Sequence, residues 1–202
     1  MSLIDSLHVL KKSDYGAASR TLANSFSEKP MIKKLGIRPD DLQNMFKMMI
    51  RVSLKYGEIY GTSQNIEGVL VFLPDKYAKM TLWQLVRSGA IIPALRINRQ
   101  LMNILKETSK IFEEDKKSMD IGPYIYLLAM GVSQPHQGNG FGGKLMKALI
   151  EKADNEKNAI YLETDTEENV SLYKHYGFKV SKEVNLPSLN IPMWEMIREA
   201  KN

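Results

Sequence analysis

The stretch Gly138-Asn139-Gly140-Phe141-Gly142-Gly143-Lys144-Leu145, inside "AMGVSQPHQGNGFGGKLMKALIEKA", fits three phosphate-binding patterns at once. Gly138, Gly140 and Gly143 satisfy G-x-G-x-x-G, the dinucleotide fingerprint, and Gly138, Gly143 and Lys144 satisfy G-x-x-x-x-G-K, the NTPase loop. Gln137, Gly140 and Gly142 satisfy a third pattern, Q-x-x-G-x-G. Four glycines within six residues are entropically expensive to order. A plain turn does not need them, whereas a loop whose N–H groups converge on a phosphate does.

The rest of the chain chooses between the three. An NTPase loop needs a hydroxyl after its lysine to hold magnesium. Leu145 stands there instead, and its spacing makes it a core residue of the following helix. The dinucleotide pattern has Glu163 in its favour, twenty residues beyond Gly143 at the end of a strand, where a ribose-binding acid is expected. Against it, Ser133 to Gln137 separate the strand from the first glycine and include Pro135. Only one further α-β step and a terminal hairpin follow, too little for a doubly wound sheet. An NAD-dependent oxidoreductase therefore survives only as a remote alternative.

Composition bounds the function classes. With 202 residues the chain is long enough for one well-packed domain with an inserted subregion. No cysteine is present, which removes disulfides, a thiol nucleophile and zinc–thiolate chemistry. His8, His136 and His175 are not spaced as a metal set, so no metal is expected. The start "MSLIDSLHVLKK" does not resemble a secretory signal, and the most apolar run, Tyr124 to Val132, is too short to span a bilayer. A cytoplasmic location with no membrane partner is the expectation. A net charge of +5 suits small anionic ligands, but no basic stripe interleaved with aromatics points to nucleic acid.

Periodicity lays out the elements. Leu7 to Leu10 reads as a short strand, and Ser13 is placed to cap a helix bearing Ala18, Leu22 and Phe26. In "RPDDLQNMFKMMIRVSLKYG", Leu42, Met45, Phe46, Met49, Ile50 and Leu54 mark an amphipathic helix ended by Gly57. "EIYGTSQNIEGVLVFLP" reads as a hairpin stopped by Pro74. Residues 81–117 look helical, broken near Gly89 and Pro93, with Ile97, Leu101, Ile104, Ile111 and Phe112 as a stripe. "YIYLLAMGV" is a central strand, followed by a helix with Leu145, Met146, Leu149, Ile150 and Ala153 inward. "AIYLET" is a strand, "TEENVSLYKHYG" a short helix, and "FKVSKEV" and "PMWEMIR" closing strands. Strands interleave with helices, so the class is mixed α/β.

The third pattern extends well beyond the loop. "YLLAMGVSQPHQGNGFGGKLMKALIEKA" resembles the cofactor motif of the GNAT superfamily, the acyl-CoA-dependent N-acyltransferases. "YLETDTEENVSLYKHYGFKV" resembles that family's next segment, an L-E-T strand and N-x-x-x-Y-x-x-x-G-F, and "PMWEMIR" and "NSFSEKP" resemble a subgroup's last strand and N-terminal motif. The likeness is strong over residues 124–180, weaker over 1–75 and absent over 76–120.

The resemblance implies one acyltransferase domain over residues 1–202: helices and a hairpin to 75, a helical insert over 76–120, and an acetyl-CoA-binding core from 121. The sheet would be mixed, mostly antiparallel, of six to seven strands, flanked by helices and splayed at the cofactor. Acetyl-CoA would be the co-substrate, its pyrophosphate wrapped by Gln137, Gly138, Asn139, Gly140, Phe141, Gly142, Gly143 and Lys144. Its pantetheine arm would pair with the main chain of Met130, Gly131 and Val132 and take a hydrogen bond from Asn169. The acceptor would be a primary amine of a small molecule or peptide, attacking directly in a ternary complex; fold analogy also allows a homodimer.

The chemistry fits these residues. A lysine-like amine has a pKa of ~10.4, so only ~1 in 2,500 is neutral at pH 7. A proton must be removed before attack, and the leaving thiolate, with a pKa near ~8.5, gains from an acid. Tyr173 matches the family's general acid, and otherwise reads as a core aromatic beside Leu172 and Tyr176. Glu163 matches the position of a carboxylate base, and otherwise reads as a salt-bridged or solvent-facing strand residue. A water chain to Asp165 or Tyr126 would serve equally. Asn169 alternatively just opens a helix, His136 turns the chain, His175 is solvated, and Glu113-Glu114-Asp115 is an exposed helix face. A CoA-binding module without turnover is the second function class.

Overall fold

The computed structural model describes residues 2–119 and 121–201. In chain order the elements are β1 His8–Val9, α1 Tyr15–Phe26, α2 Pro30–Lys34, α3 Pro39–Tyr56, β2 Glu58–Gly61, β3 Gly68–Pro74, α4 Leu82–Ser88, α5 Ile91–Leu95, α6 Arg99–Ser118 and β4 Tyr124–Val132. They continue with α7 Phe141–Asn155, β5 Ala159–Thr164, α8 Glu167–His175, β6 Lys179–Leu186 and β7 Ile191–Arg198. The strands form one seven-stranded sheet in the order β1-β2-β3-β4-β5-β7-β6. Every neighbouring pair is antiparallel except β4 and β5. A single parallel pair inside an antiparallel sheet is incompatible with a doubly wound nucleotide fold, which removes the dinucleotide interpretation of the glycine loop.

That parallel pair shapes the molecule. Tyr124, Ile125 and Tyr126 pair with Ala159, Ile160 and Tyr161, and there the ladder stops. Among the described residues, β4 runs on to Val132 and β5 to Thr164 without pairing further with each other. β4 also carries a bulge: Leu127 faces Phe72 and Ala129 faces Val71, leaving Leu128 as the extra residue. A bulge bends its strand and re-aims the side chains beyond it. Ile125 and Leu127 pack with α7 on one face, Leu128 and Ala129 with α1 and α3 on the other, and Met130 returns to the α7 face.

Each face is covered by the helix whose stripe matches it. Leu42, Met45, Phe46 and Ile50 of α3 and Ala18 and Leu22 of α1 bury one side. Leu145, Met146, Leu149 and Ala153 of α7 bury the other, and burial of a leucine of this kind contributes about 1.5–3 kcal/mol. The insert's long helix α6 lays Ile104 and Phe112 on Leu186 and Met193 of the β6–β7 hairpin. Its first two helices turn Leu82, Trp83, Val86, Ile92 and Leu95 to the surface.

Two local expectations are corrected. Ser13 lies in a 3-10 turn and α1 begins two residues later at Tyr15; Asp14 Oδ2 instead accepts from the Lys11 amide and pairs with His8 Nε2. Pro93 sits within the first turn of α5, where its missing N–H is no loss. The break falls at Arg96 to Asn98, where Asn98 accepts from the Leu101 amide to cap α6 and is itself held by buried Asp41 of α3.

Candidate active site

The glycine loop is built from the end of β4 outward. The Ser133 amide donates to the Glu67 carbonyl at 2.9 Å and the Gln134 amide to Asn24 Oδ1 at 2.8 Å, so the loop's root is anchored to the β2–β3 turn and to α1. Gln137 Nε2 folds back to the Val132 carbonyl at 3.0 Å. Gly138 and Gly140 adopt φ of 80° and 78°, left-handed conformations that favour glycine, and Gly140 caps the N-terminus of α7. Gly142 is different. Its φ is ordinary, and a Cβ there would meet only Val132 Cγ2 at 3.9 Å. Among the described residues, nothing that a Cβ would meet requires a glycine at that position.

The Lys144 amide donates to the Gly140 carbonyl at 3.0 Å, and its Nζ donates to the Thr62 carbonyl at 3.1 Å. The amides of Phe141, Gly142 and Gly143 therefore remain as the first-turn donors of α7, with the positive end of the helix dipole behind them. The Lys144 side chain thus braces the β2–β3 turn. Beside it, Leu3, Gly140, Gly143, Lys144, Lys147 and Tyr176 line a shallow recess. Gly131 has a packing reason to be glycine: a Cβ there would lie 2.3 Å from Ser25 Oγ and 3.3 Å from Leu22 Cδ2.

Across the gap, Thr166 caps α8 by accepting from the Asn169 amide. The Asn169 side chain is engaged at both ends: Nδ2 donates to Thr164 Oγ1 at 3.0 Å and Oδ1 accepts from Lys29 Nζ at 3.5 Å. One turn later Tyr173 packs its ring 5.5 Å from Phe178. Burial, with the Asp165 carboxylate adding to it, pushes the Tyr173 hydroxyl up to about 12. Asp165 is itself raised by burial, an effect that its own backbone amide and Lys29 offset in part. Tyr176 points elsewhere, with its hydroxyl 3.3 Å from the position a Gly143 Cβ would take.

Glu163 sits on the opposite face, in a network that joins β4, β5, β7 and α6. Tyr126 Oη donates to Glu163 Oε2 at 2.7 Å and Lys116 Nζ to Oε1 at 3.3 Å. The Lys116 ammonium lies 4.3 Å from the Tyr126 ring centroid and 4.7 Å from that of Tyr161. Tyr161 Oη donates to Glu195 Oε2 at 2.6 Å. Burial, strengthened by the neighbouring Asp115 carboxyl, pushes Glu195 up to about 7. Asp115 is held low by Lys182, against the opposing effect of its burial. Asp115 and Lys116 thus belong to the interior of the site, whereas the sequence presents Asp115 as part of an exposed acidic run, Glu113-Glu114-Asp115, and gives Lys116 no signal of its own. The signal that could have found them is Glu195, a lone acid between Trp194 and Met196 in an apolar strand, which demands buried partners. Lys29 was missed because a lone lysine in a loop carries no pattern. His136 turns the chain as expected, its Nδ1 2.9 Å from Ser133 Oγ.

Known proteins resemble this chain in sequence and in fold. The acetyltransferase (GNAT) family model matches residues 108–178, from within α6 through β4, the glycine loop and α8 to Phe178. An uncharacterised N-acetyltransferase of Schizosaccharomyces pombe is 27% identical over 209 residues, spanning 92% of this chain and 80% of that protein. A crystal structure of histone acetyltransferase HPA2 and related acetyltransferase from Corynebacterium glutamicum superposes with a TM-score of 0.61 at 20% identity, covering 98% of each chain. Arylalkylamine N-acetyltransferase 2 of Aedes aegypti superposes with a TM-score of 0.62 at 13% identity, covering 96% of this chain and 98% of that one. The sheet opened between two parallel strands, with a glycine-capped helix at its mouth, is an acetyltransferase fold. Residues 108–178 match the GNAT acetyltransferase family, and the chain as a whole is similar to N-acetyltransferases and shares their fold.

Proposed function

We propose that this protein transfers the acetyl group of acetyl-CoA to a primary amine of a small molecule or peptide, by direct attack in a ternary complex. The observation that carries the proposal is the opening of β4 from β5 beyond Tyr126 and Tyr161, with the free amides of α7 at its mouth and Tyr173 on its far side. The unpaired edge of β4, from Leu127 to Val132, offers main-chain groups to the amides of a pantetheine arm. Gly138 to Gly143 suit the pyrophosphate, and the unforced glycine at 142 is where close approach of a ligand accounts for a missing side chain. Asn169 would exchange its 3.5 Å Lys29 contact for one to the arm.

In this mechanism the amine nitrogen attacks the thioester carbonyl carbon, a C–N bond forms, and the C–S bond breaks as the intermediate collapses. Tyr173 donates its proton to the departing sulfur and regains one, through solvent, as the nitrogen sheds its second proton. Its raised pKa keeps that proton in place throughout neutral conditions. The ammonium proton goes to Glu163, directly or through water; Asp165, whose burial raises its proton affinity, is the nearer carboxylate to Tyr173 electrostatically. The two rings beside Glu163 give an alkylammonium an aromatic wall.

The test is thiol release from acetyl-CoA across a broad amine panel, with acetylated product identified by mass spectrometry and CoA binding measured by calorimetry on the same protein. Release with an acetylated amine supports transfer. Tight CoA binding without release over the whole panel would establish the CoA-binding module instead.

A further inference from the structure

Lys116 belongs to the insert helix α6, yet its ammonium group lies where the two central strands part. Its side chain is only 12% exposed, and Glu163, its partner at 3.3 Å, only 9%. The two rings it touches, Tyr126 and Tyr161, are the last cross-strand pair before β4 and β5 separate. A primary ammonium held between two aromatic faces and one carboxylate is the setting an alkylamine acceptor requires, and here the protein's own lysine fills it. Buried ion-paired lysines are not all so placed. Lys152, 16% exposed between Glu58 and Glu156, sits near the C-terminal end of α7, ~18 Å of helix rise from Gly140.

We propose that Lys116 is an acetyl acceptor of this enzyme, modified in cis by acetyl-CoA bound in the β4–β5 cleft. The proposal rests on the acetyl-CoA-dependent transfer set out above. In the step, the Lys116 ammonium gives one proton to the Glu163 carboxylate, and the freed lone pair attacks the thioester carbonyl carbon. The new C–N bond becomes an amide as the C–S bond breaks, the sulfur leaves with a proton from Tyr173, and the second proton shed by the nitrogen passes through solvent to restore the Tyr173 hydroxyl. The products are Nε-acetyl-lysine and CoA thiol, with no oxidant or reductant involved. The amide is neutral, so it no longer pairs with Glu163 or binds the rings as a cation. Acetylation would therefore release Glu163 and both rings to an external amine.

The experiment incubates the whole protein with isotope-labelled acetyl-CoA and follows incorporation by intact mass and by peptide fragmentation that resolves Lys116 from Lys117. One label at Lys116, at a first-order rate unchanged over a tenfold range of protein concentration, is the expected result. Incorporation there should fall at least tenfold in Tyr173→Phe and vanish in Lys116→Arg, while Lys152 stays at the level of a heat-unfolded control. CoA release with an external amine is measured on the same preparation. If that release occurs while Lys116 stays unmodified, the self-acetylation is wrong and the enzyme activity stands. A first-order rate constant that rises in proportion to protein concentration, or equal labelling of Lys152, also overturns it. A preparation that neither binds CoA nor releases thiol removes the acetyltransferase mechanism, and this inference with it.

Discussion

Tyr126 and Tyr161 face each other across β4 and β5 with ring centroids 5.7 Å apart, and beyond them the two strands no longer pair. Their hydroxyls reach two different carboxylates, Glu163 and Glu195. The point where the sheet opens is therefore also where its ionisable side chains gather. The bulge at Leu128 and the offset of β4 past β5 put main-chain groups on one side of that point and charged side chains on the other.

Gly142→Asp tests the loop. A Cβ there meets only Val132 at 3.9 Å, so the variant should fold with little change in melting temperature. A carboxylate at the phosphate position should weaken CoA binding at least ~10-fold, about 1.4 kcal/mol. Calorimetry giving wild-type affinity in the folded variant would take the pyrophosphate away from this loop.

Tyr173→Phe tests the acid. The ring keeps its contact with Phe178, so CoA affinity should be nearly unchanged, while kcat falls by roughly 10–10⁴-fold. Because proton delivery matters only as the transition state forms, kcat/KM should fall in step. The hydroxyl, raised to about 12, stays protonated over the working range, so ionisation of Tyr173 should add no falling limb to the wild-type rate below about pH 11. Wild-type kcat in the variant would remove Tyr173 from the mechanism and point to water as the proton source.

Glu195→Gln tests the buried network. An unfolded glutamate has a pKa of ~4.3, whereas folding raises this one to about 7. Between those values the folded state holds a proton that the unfolded state has released, so this group's contribution to stability falls as pH rises from ~4.3 to about 7 and is level above it. The amide still accepts from Tyr161 but does not titrate. Urea midpoints of wild type minus variant should therefore decline across that window; parallel pH profiles would exclude a raised Glu195.

Gly131→Ala tests whether α1 dictates that glycine. The added methyl would lie 2.3 Å from Ser25 Oγ, and overpacking of this kind destabilises by roughly 1–3 kcal/mol. A fall in melting temperature of about 2–4 °C per kcal/mol is expected for a chain of this size. Adding Ser25→Gly should recover most of it. An unchanged melting temperature in the single variant would mean that α1 sits farther from β4.

Local pattern in the chain determined most of the elements. The stripe of α3, the hairpin ended by Pro74, the alternation that makes β7 a strand, and the glycine loop opening α7 are all decided within a few residues. Hydrophobic period and backbone freedom act over that range. The same local information placed Gly138 to Gly143 at a helix N-terminus and Tyr173 on the helix after β5. Only the tertiary structure decided what Glu163 touches. Its partners Tyr126 and Lys116 lie 37 and 47 residues away in sequence. Lys116 follows directly on the acidic run Glu113-Glu114-Asp115, and no periodicity distinguishes it from Lys110 or Lys117. Whether a charge is buried depends on which strands the sheet sets beside it, and that pairing is a property of the folded chain as a whole.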